Sequence, residues 1–372
     1  MPSTRTGAVV IASVAIAAAA AIAVVAGPRK PDVGAAASNS LSLDAPLPQS
    51  PPPPGTTLVI GDPLTQHVLE HTGWIRQLPF HVKWAEISGG PAVTEAFHAR
   101  VLDVGSAADL PPIHAAWVGI PTKIIAVRLR EDPLDHPVWA LGVSPGSRVR
   151  SLADLRGKKI AFSPGQVQGE IVLRSLAAAG LTPRDVTLVE LPSTGGDIYV
   201  NALAAKVVDV APLAYGTQVK RYLGTYGDQG AQILQHPPFR DDLGLIYVRT
   251  DTLRDPAKAA ALRIYVQFWA RAAEWVRTHP DEWAQTYYVQ NQGLSSTDAH
   301  DVVDASGAPD VPSNWGVAIG MEQVAANVVG AVAGRPHLDA NTLFDRRFEP
   351  VAAGAAQAEL ARERGGSTLA ER

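Results

Sequence analysis

Val149-Arg150-Ser151-Leu152-Ala153-Asp154-Leu155-Arg156-Gly157-Lys158-Lys159-Ile160-Ala161-Phe162 runs directly into Ser163-Pro164-Gly165-Gln166. Ser151 with Asp154 three residues on has the form of a capping box. Lys159 to Phe162 reads as a strand, and Ser163 to Gln166 turns the chain into a helix carrying Val172, Leu173 and Leu176. Gly180 ends that helix. Thr182-Pro183-Arg184-Asp185 repeats the capping logic, Val186 to Leu191 is a strand, Asn201 to Ala205 is helical, and Val207 to Leu213 is a strand again. Strand alternating with helix predicts a mostly parallel α/β sheet.

The same alternation runs upstream. Thr57-Leu58-Val59-Ile60 is a buried strand ending at Gly61, and Leu64, Val68 and Leu69 follow at helical spacing. His81 to Ile87 alternates like a strand, and Ser88-Gly89-Gly90-Pro91 opens a helix whose apolar face is Val93, Ala96 and Phe97. Val101 to Gly105 and Lys123 to Val127 are strands, with a helix between them that starts at Asp109 and Pro111-Pro112. Downstream, Leu243 to Val248 is extended and returns to the first unit. The pattern is then helical from Asp255-Pro256 nearly to Gly334, with a stripe at Leu262, Val266 and Trp269, a helix start at Pro280 and a cap at Ser295 to Asp298. The last 25 or so residues show no clear pattern and read as a loose tail.

The chain has 372 residues, enough for two modest units, and 46% of them are hydrophobic, so each unit can bury a core. A net charge of −4 argues against a nucleic-acid partner, which calls for a basic face. No cysteine is present, which removes disulfides, thiolate metal sites, thiol nucleophiles and a lipid-modified cysteine together. Arg5 precedes an uncharged run from Gly7 to Gly27 that suits either a signal sequence, with Ala21-Ile22-Ala23 as a cleavage signal, or an uncleaved membrane anchor. Residues 28–55 are rich in Pro, Ala and Ser and read as a semi-stiff extended spacer. The expected organisation is a leader or anchor (1–27), a linker (28–55), one lobe from 56–142 plus 243–345, a second lobe from 143–242, and a tail (346–372).

Three segments, in this order, carry a resemblance. They are Trp84-Ala85-Glu86-Ile87-Ser88-Gly89-Gly90-Pro91, then Asp103-Val104-Gly105-Ser106-Ala107-Ala108-Asp109-Leu110-Pro111-Pro112, then the Val149 to Phe162 stretch. Together they resemble the substrate-binding proteins of sulfonate, taurine and nitrate ABC importers, above all the aliphatic-sulfonate branch. The resemblance spans Thr56 to Gly334. It implies a two-lobed type II periplasmic-binding-protein fold with two hinge strands, a helical C-terminal region and a ligand clamped between the lobes. It also implies an extracytoplasmic location, an ABC permease as partner, a monomer, and no cofactor. Departures from the family pattern fall at Gly61-Asp62-Pro63, Ala108 and Ala214-Tyr215-Gly216. All three sit where ligand should sit and point to a ligand uncommon for the family.

A sulfonate or nitrate keeps its charge at every relevant pH, so burying it requires donors in place of water. Helix starts offer free N–H groups and partial positive charge. Two such starts, Ser88-Gly89-Gly90 and Ser163-Pro164-Gly165-Gln166, are expected to face each other across the cleft, although each also reads as an ordinary cap. Ser163, Gly165 and Gln166 are the candidates in the second. Ser106 and Ala107 are expected contacts, whereas Asp109 caps its own helix. Thr65 and Gln66, just past the first strand, are further donors, and Thr194 and Tyr215 are candidates in the second lobe, Tyr215 offering a ring face and a hydroxyl. Arg128 follows a buried strand and reads either as an anion partner or as one half of a surface salt bridge.

Enzyme readings compete with this. His67-Val68-Leu69-Glu70-His71 matches the H-x-x-E-H pattern of a zinc peptidase class. It opens the first helix of a binding-protein lobe, and those histidines are expected at the surface or lining the cleft. Sulfinate desulfinases share the fold but use a cysteine that this chain lacks, and a pyrimidine-synthesis branch is cytoplasmic. No G-x-S-x-G, Walker loop or acidic metal cluster is present, and Asp241-Asp242 reads as a solvated turn. A non-enzymatic solute receptor is expected; a membrane-tethered sensor or adaptor of the same fold, or a desulfinase-like enzyme lacking the usual cysteine, is the alternative.

Overall fold

The computed structural model describes residues 40–87, 90–192, 197–234 and 239–370, with side chains described through 364. The chain builds β1 (Thr57–Gly61), α1 (Pro63–His71), β2 (His81–Trp84), α2 (Gly90–His98), β3 (Val104–Ala107), α3 (Leu110–Trp117) and β4 (Thr122–Arg130). It continues with β5 (Trp139–Val143), β6 (Lys159–Phe162), α4 (Val167–Ala178), β7 (Thr187–Glu190), α5 (Ile198–Ala204), β8 (Val210–Ala214), α6 (Thr217–Tyr226) and β9 (Gln232–Leu234). It closes with β10 (Gly244–Arg249), α7 (Thr250–Arg254), α8 (Pro256–Thr278), α9 (Pro280–Trp283), a π-helix (Ala284–Asn291), α10 (Ser296–Ser306), β11 (Pro309–Asp310), α11 (Gly316–Ala333) and α12 (Glu349–Ala370).

These strands form two sheets, one per lobe, ordered β11-β4-β10-β3-β1-β2 and β7-β6-β8-β5-β9. The βαβ units pair in parallel, as β1 does with β2 and β3, and β6 with β7 and β8. The strands on either side of the two crossings pair antiparallel: β4 with β10, and β5 with β9 and β8. The chain leaves the first sheet between β4 and β5 and returns between β9 and β10, so two segments join the lobes.

Local capping chemistry places the helix starts. Ser151 and Asp154 form a reciprocal capping box, as do Thr182 and Asp185. Asp109 accepts the backbone N–H of Leu110 at the start of α3. Ser295 accepts that of Asp298 at the start of α10. The larger core lies around the first sheet and takes in Leu58, Ile60, Val127, Tyr265 and Trp315, together with Leu173 from α4. The second sheet carries two smaller clusters, one on Leu203, Leu213 and Tyr222, the other on Ile160, Val172 and Leu176. Helix α11 has the length and composition of a membrane span, but it lies against α3 and α4 and buries Ala318, Met321 and Ala325.

Three expectations change. Residues 40–55 are not a free spacer: Leu47 sits in the core, and Arg263 donates to the carbonyls of Pro48 and Gln49 at 2.8 Å each. The C-terminal stretch is not a loose tail: α12 packs along α8 and buries Ala352, Ala353 and Ala356. Alanine-rich faces bury well but carry too little side chain to stand out in a periodicity reading. Asp241-Asp242 is not a solvated turn, for both residues are buried. Asp241 accepts the N–H groups of Val138 and Trp139, and Asp242 accepts that of Arg130 at 2.7 Å. These two carboxylates therefore staple the two crossings together. The expected leader (1–27) lies outside the described residues.

Candidate functional site

Where the first sheet meets the crossings, two adjoining recesses share Leu64, Ala108, Arg128 and Gly244. The first has a volume of about 260 Å³ and is walled also by Thr65, Trp139, Trp283 and Tyr288. The second, about 360 Å³, is walled also by Asp62, Ser106, Ala107, Trp269 and Tyr287. The elements that deliver these groups follow from the fold. Asp62, Thr65, Ser106 and Ala107 come from the carboxyl ends of β1 and β3 and the turns after them, the usual mouth of an open α/β sheet. Arg128 lies near the end of β4 and Gly244 opens β10, while the π-helix brings Tyr287 and Tyr288 over them.

Arg128 is the chemical centre of this arrangement. Its guanidinium has no hydrogen bond or ion pair among the described residues and lies 5.9 Å from the centre of the Trp269 ring. Burial pulls its pKa down, while Asp62 and the two tyrosines oppose that. An arginine stays charged through such a shift. Nearby Arg130 is committed instead, donating through Nη1 to the carbonyl of His136 at 2.9 Å. Asp62 caps α1 and accepts the hydroxyl of Tyr265 at 2.9 Å, and burial pushes its carboxyl up. A half-buried guanidinium with no hydrogen bond among the described residues, with the Asp62 carboxyl in the same recess and aromatic and small side chains around it, can donate to a negatively charged head group.

The sequence-derived candidates divide into groups. Thr65, Ser106 and Ala107 line the recesses. The two helix starts do come together, but their described residues are not among those that wall the two recesses. A Cβ placed on Gly90 would lie 3.0 Å from Nε2 of Gln166, and one on Gly165 would lie 3.1 Å from the His114 ring. Within the second start, the Ser163 hydroxyl donates to Oε1 of Gln166. Gln66 turns away and donates to Glu70 at 3.0 Å, and Tyr215 is exposed at the start of the β8–α6 turn. Ser88, Gly89 and Thr194 lie outside the described residues. Trp139, Trp269, Trp283, Tyr287 and Tyr288 were not among the candidates. The clustered aromatics of Trp283-Ala-Gln-Thr-Tyr287-Tyr288 were the available signal, but only tertiary packing shows which face they present.

The H-x-x-E-H pattern goes into packing. The His67 and His71 rings stack with centres 6.2 Å apart, and His71 meets Glu282 at 2.7 Å. His67 lies edge-on to Trp283 and Tyr287, and burial lowers its pKa. Among the described residues no three His, Cys, Asp or Glu side chains are placed to share a metal ion.

Comparison with known proteins bears on the fold and on the family resemblance. A family model described as NMT1/THI5 like matches residues 119–283. A protein of Escherichia coli (strain K12) named for binding aliphatic sulfonates is 32% identical over 105 residues. That match covers 28% of this chain and 32% of the relative, so the chain matches about a third of that relative's length. The periplasmic aliphatic sulphonate binding protein SsuA from Escherichia coli superimposes with a TM-score of 0.64 at 18% identity, covering 78% of this chain and 92% of that one. The alkanesulfonate-binding protein SsuA from Xanthomonas axonopodis pv. citri, bound to MOPS, gives 0.64 at 21% identity over 79% and 99%. A desulfurization enzyme, DszB, shares the fold at a TM-score of 0.55 and 14% identity, over 80% and 99%. Residues 119–283 thus match the NMT1/THI5-like family model, and the chain has the two-lobed fold of the periplasmic binding proteins, as its sequence resemblance implied.

Proposed function

We propose that this chain is an extracytoplasmic solute-binding protein of an ABC importer that holds a small organic anion of the sulfonate class between its lobes. In this reading the expected division, 56–142 plus 243–345 and 143–242, is shifted so that all of β5 joins the second lobe and α12 joins the first. The observation that carries it is Arg128, whose guanidinium has no hydrogen bond among the described residues and stands where two recesses meet beside the segments joining the lobes. Thr65, Ser106 and Ala107 line the recesses beside it, the Ser106 hydroxyl donating to the Gly61 carbonyl at 3.1 Å. The sulfonate-binding relatives support the ligand class and the importer setting. The absence of any cysteine closes the cysteine-based desulfinase chemistry first weighed from the sequence.

Catalysis is not required of such a site. Binding that favours one arrangement of the lobes shifts the population toward it, and a permease reads the result. A thermal-denaturation screen against alkanesulfonates, arenesulfonates, taurine, nitrate and bicarbonate tests the reading. A true ligand at 100 times its Kd is expected to stabilise the folded state by about 2.7 kcal/mol. A folded sample that responds to none of these anions overturns it.

A further inference from the structure

Aromatic residues make up 6% of the chain, yet five of them wall the two recesses that meet at Arg128. Trp139, Trp283 and Tyr288 wall the first recess and Trp269 and Tyr287 the second, both recesses being lined by Arg128. Trp283 and Tyr287 stack on each other with ring centres 4.3 Å apart and planes 5° from parallel. Tyr288 meets both edge-on, at 6.0 and 5.1 Å. Such a wall offers flat faces and ring edges, which is the surface another ring packs on with most gain.

The charge pattern narrows the head group. Arg128 is uncommitted, Arg130 is held by the His136 carbonyl, and Asp62 stands in the second recess with its carboxyl against Tyr265. One free cation beside a carboxyl matches a single negative charge and opposes a second one.

We propose that the ligand is an aromatic monoanion, an arenesulfonate or a sulfur acid of the same shape, with its head group on Arg128 and its ring against the Trp283, Tyr287 and Tyr288 wall. The proposal rests on the reading that this cavity holds an anion. The rival it must beat is a short aminosulfonate, whose ammonium would sit on Asp62 while its sulfonate sat on Arg128.

Calorimetric titration of the full chain with benzenesulfonate, naphthalene-2-sulfonate, cyclohexanesulfonate and taurine decides the matter. Benzenesulfonate is expected to bind roughly two- to tenfold more tightly than cyclohexanesulfonate, which has the same head group on a ring with no π face. In Tyr288→Leu that preference is expected to disappear while the sulfonates still bind. In Arg128→Gln every sulfonate is expected to weaken by about 30-fold or more. Cyclohexanesulfonate binding as well as benzenesulfonate, or taurine binding best, overturns the aromatic assignment and leaves the anion reading standing. Unchanged binding in Arg128→Gln overturns the head-group assignment. No binding of any of the four to the folded protein removes both.

Discussion

Glu322 has no exposed surface, and neither of its carboxyl oxygens has a hydrogen-bond partner among the described residues. Burial pushes its pKa well above the usual carboxylate range, and the nearby Asp109 and Glu170 push it further. Those two acids are raised by burial as well, and the one cation paired with them is Arg174, 3.0 Å from Glu170. The folded protein therefore keeps protons here that the unfolded chain gives up once pH passes the ordinary value of 4.5 for glutamate. From that pH upward the unfolded state binds fewer protons, so this cluster's contribution to stability falls as pH rises, until the raised folded values are passed. Glu322→Met is expected to raise stability at pH 8 by about 1–4 kcal/mol, with a smaller gain at pH 5. Denaturant titrations at the two pH values check this. A Met variant less stable than the parent at pH 8 would show that Glu322 has a partner that offsets its burial.

Among the elements, α12 shows how much of the fold could be read in advance. Helix starts were legible at Ser151, Thr182 and Ser295 because a cap is a contact between residues three apart. Eight strands were legible from local apolar runs and alternation, whereas β5, β9 and β11 were not read. Helix α12 was not, since its apolar face is Ala352, Ala353 and Ala356 and gains its value from α8. The site was half legible. Thr65, Ser106 and Ala107 follow from the topology of an α/β sheet, whereas the role of Arg128 depends on Trp269, Tyr287 and Gly244, which reach it from distant parts of the chain. What holds α12 in place is testable. Arg271 on α8 pairs with buried Glu359 at 2.8 Å and stacks 4.1 Å from the Trp74 ring. Arg271→Ala is expected to cost about 1–3 kcal/mol, below the range for a fully buried broken pair because Arg362 still reaches Glu359 at 2.8 Å. Chemical denaturation measures it, and sulfonate affinity should stay at the parent value. An unchanged unfolding midpoint would mean that α12 contributes little to the first lobe.

For the molecule as a whole, the joining segments and the contacts between lobes differ in kind. The joints are held by buried carboxylates, Asp241 on Val138 and Trp139, and Asp242 on Arg130 and Arg240. Beyond the joints, the lobes meet through buried groups, Leu173 and Glu170 of α4 against the first-lobe core and Asp109, and also through small or exposed ones. Gly165 lies against His114, Gly90 against Gln166, and Lys220 of the second lobe reaches Asp298 and Asp301 of α10. All three members of that ion-pair group are well exposed, and exposed pairs are weak and screened by salt. The exposed ion pairs are the part of the lobe contact that salt and substitution can loosen while the buried part holds. Lys220→Ala should therefore weaken sulfonate binding only slightly, by up to about threefold at low ionic strength. At about 0.5 M salt the variant and the parent should bind alike, because screening removes from the parent what the substitution removed from the variant. Paired titrations at the two salt concentrations measure this. A loss that persists at high salt would mean that Lys220 acts through packing, and no loss at either would place the pair outside the closing motion.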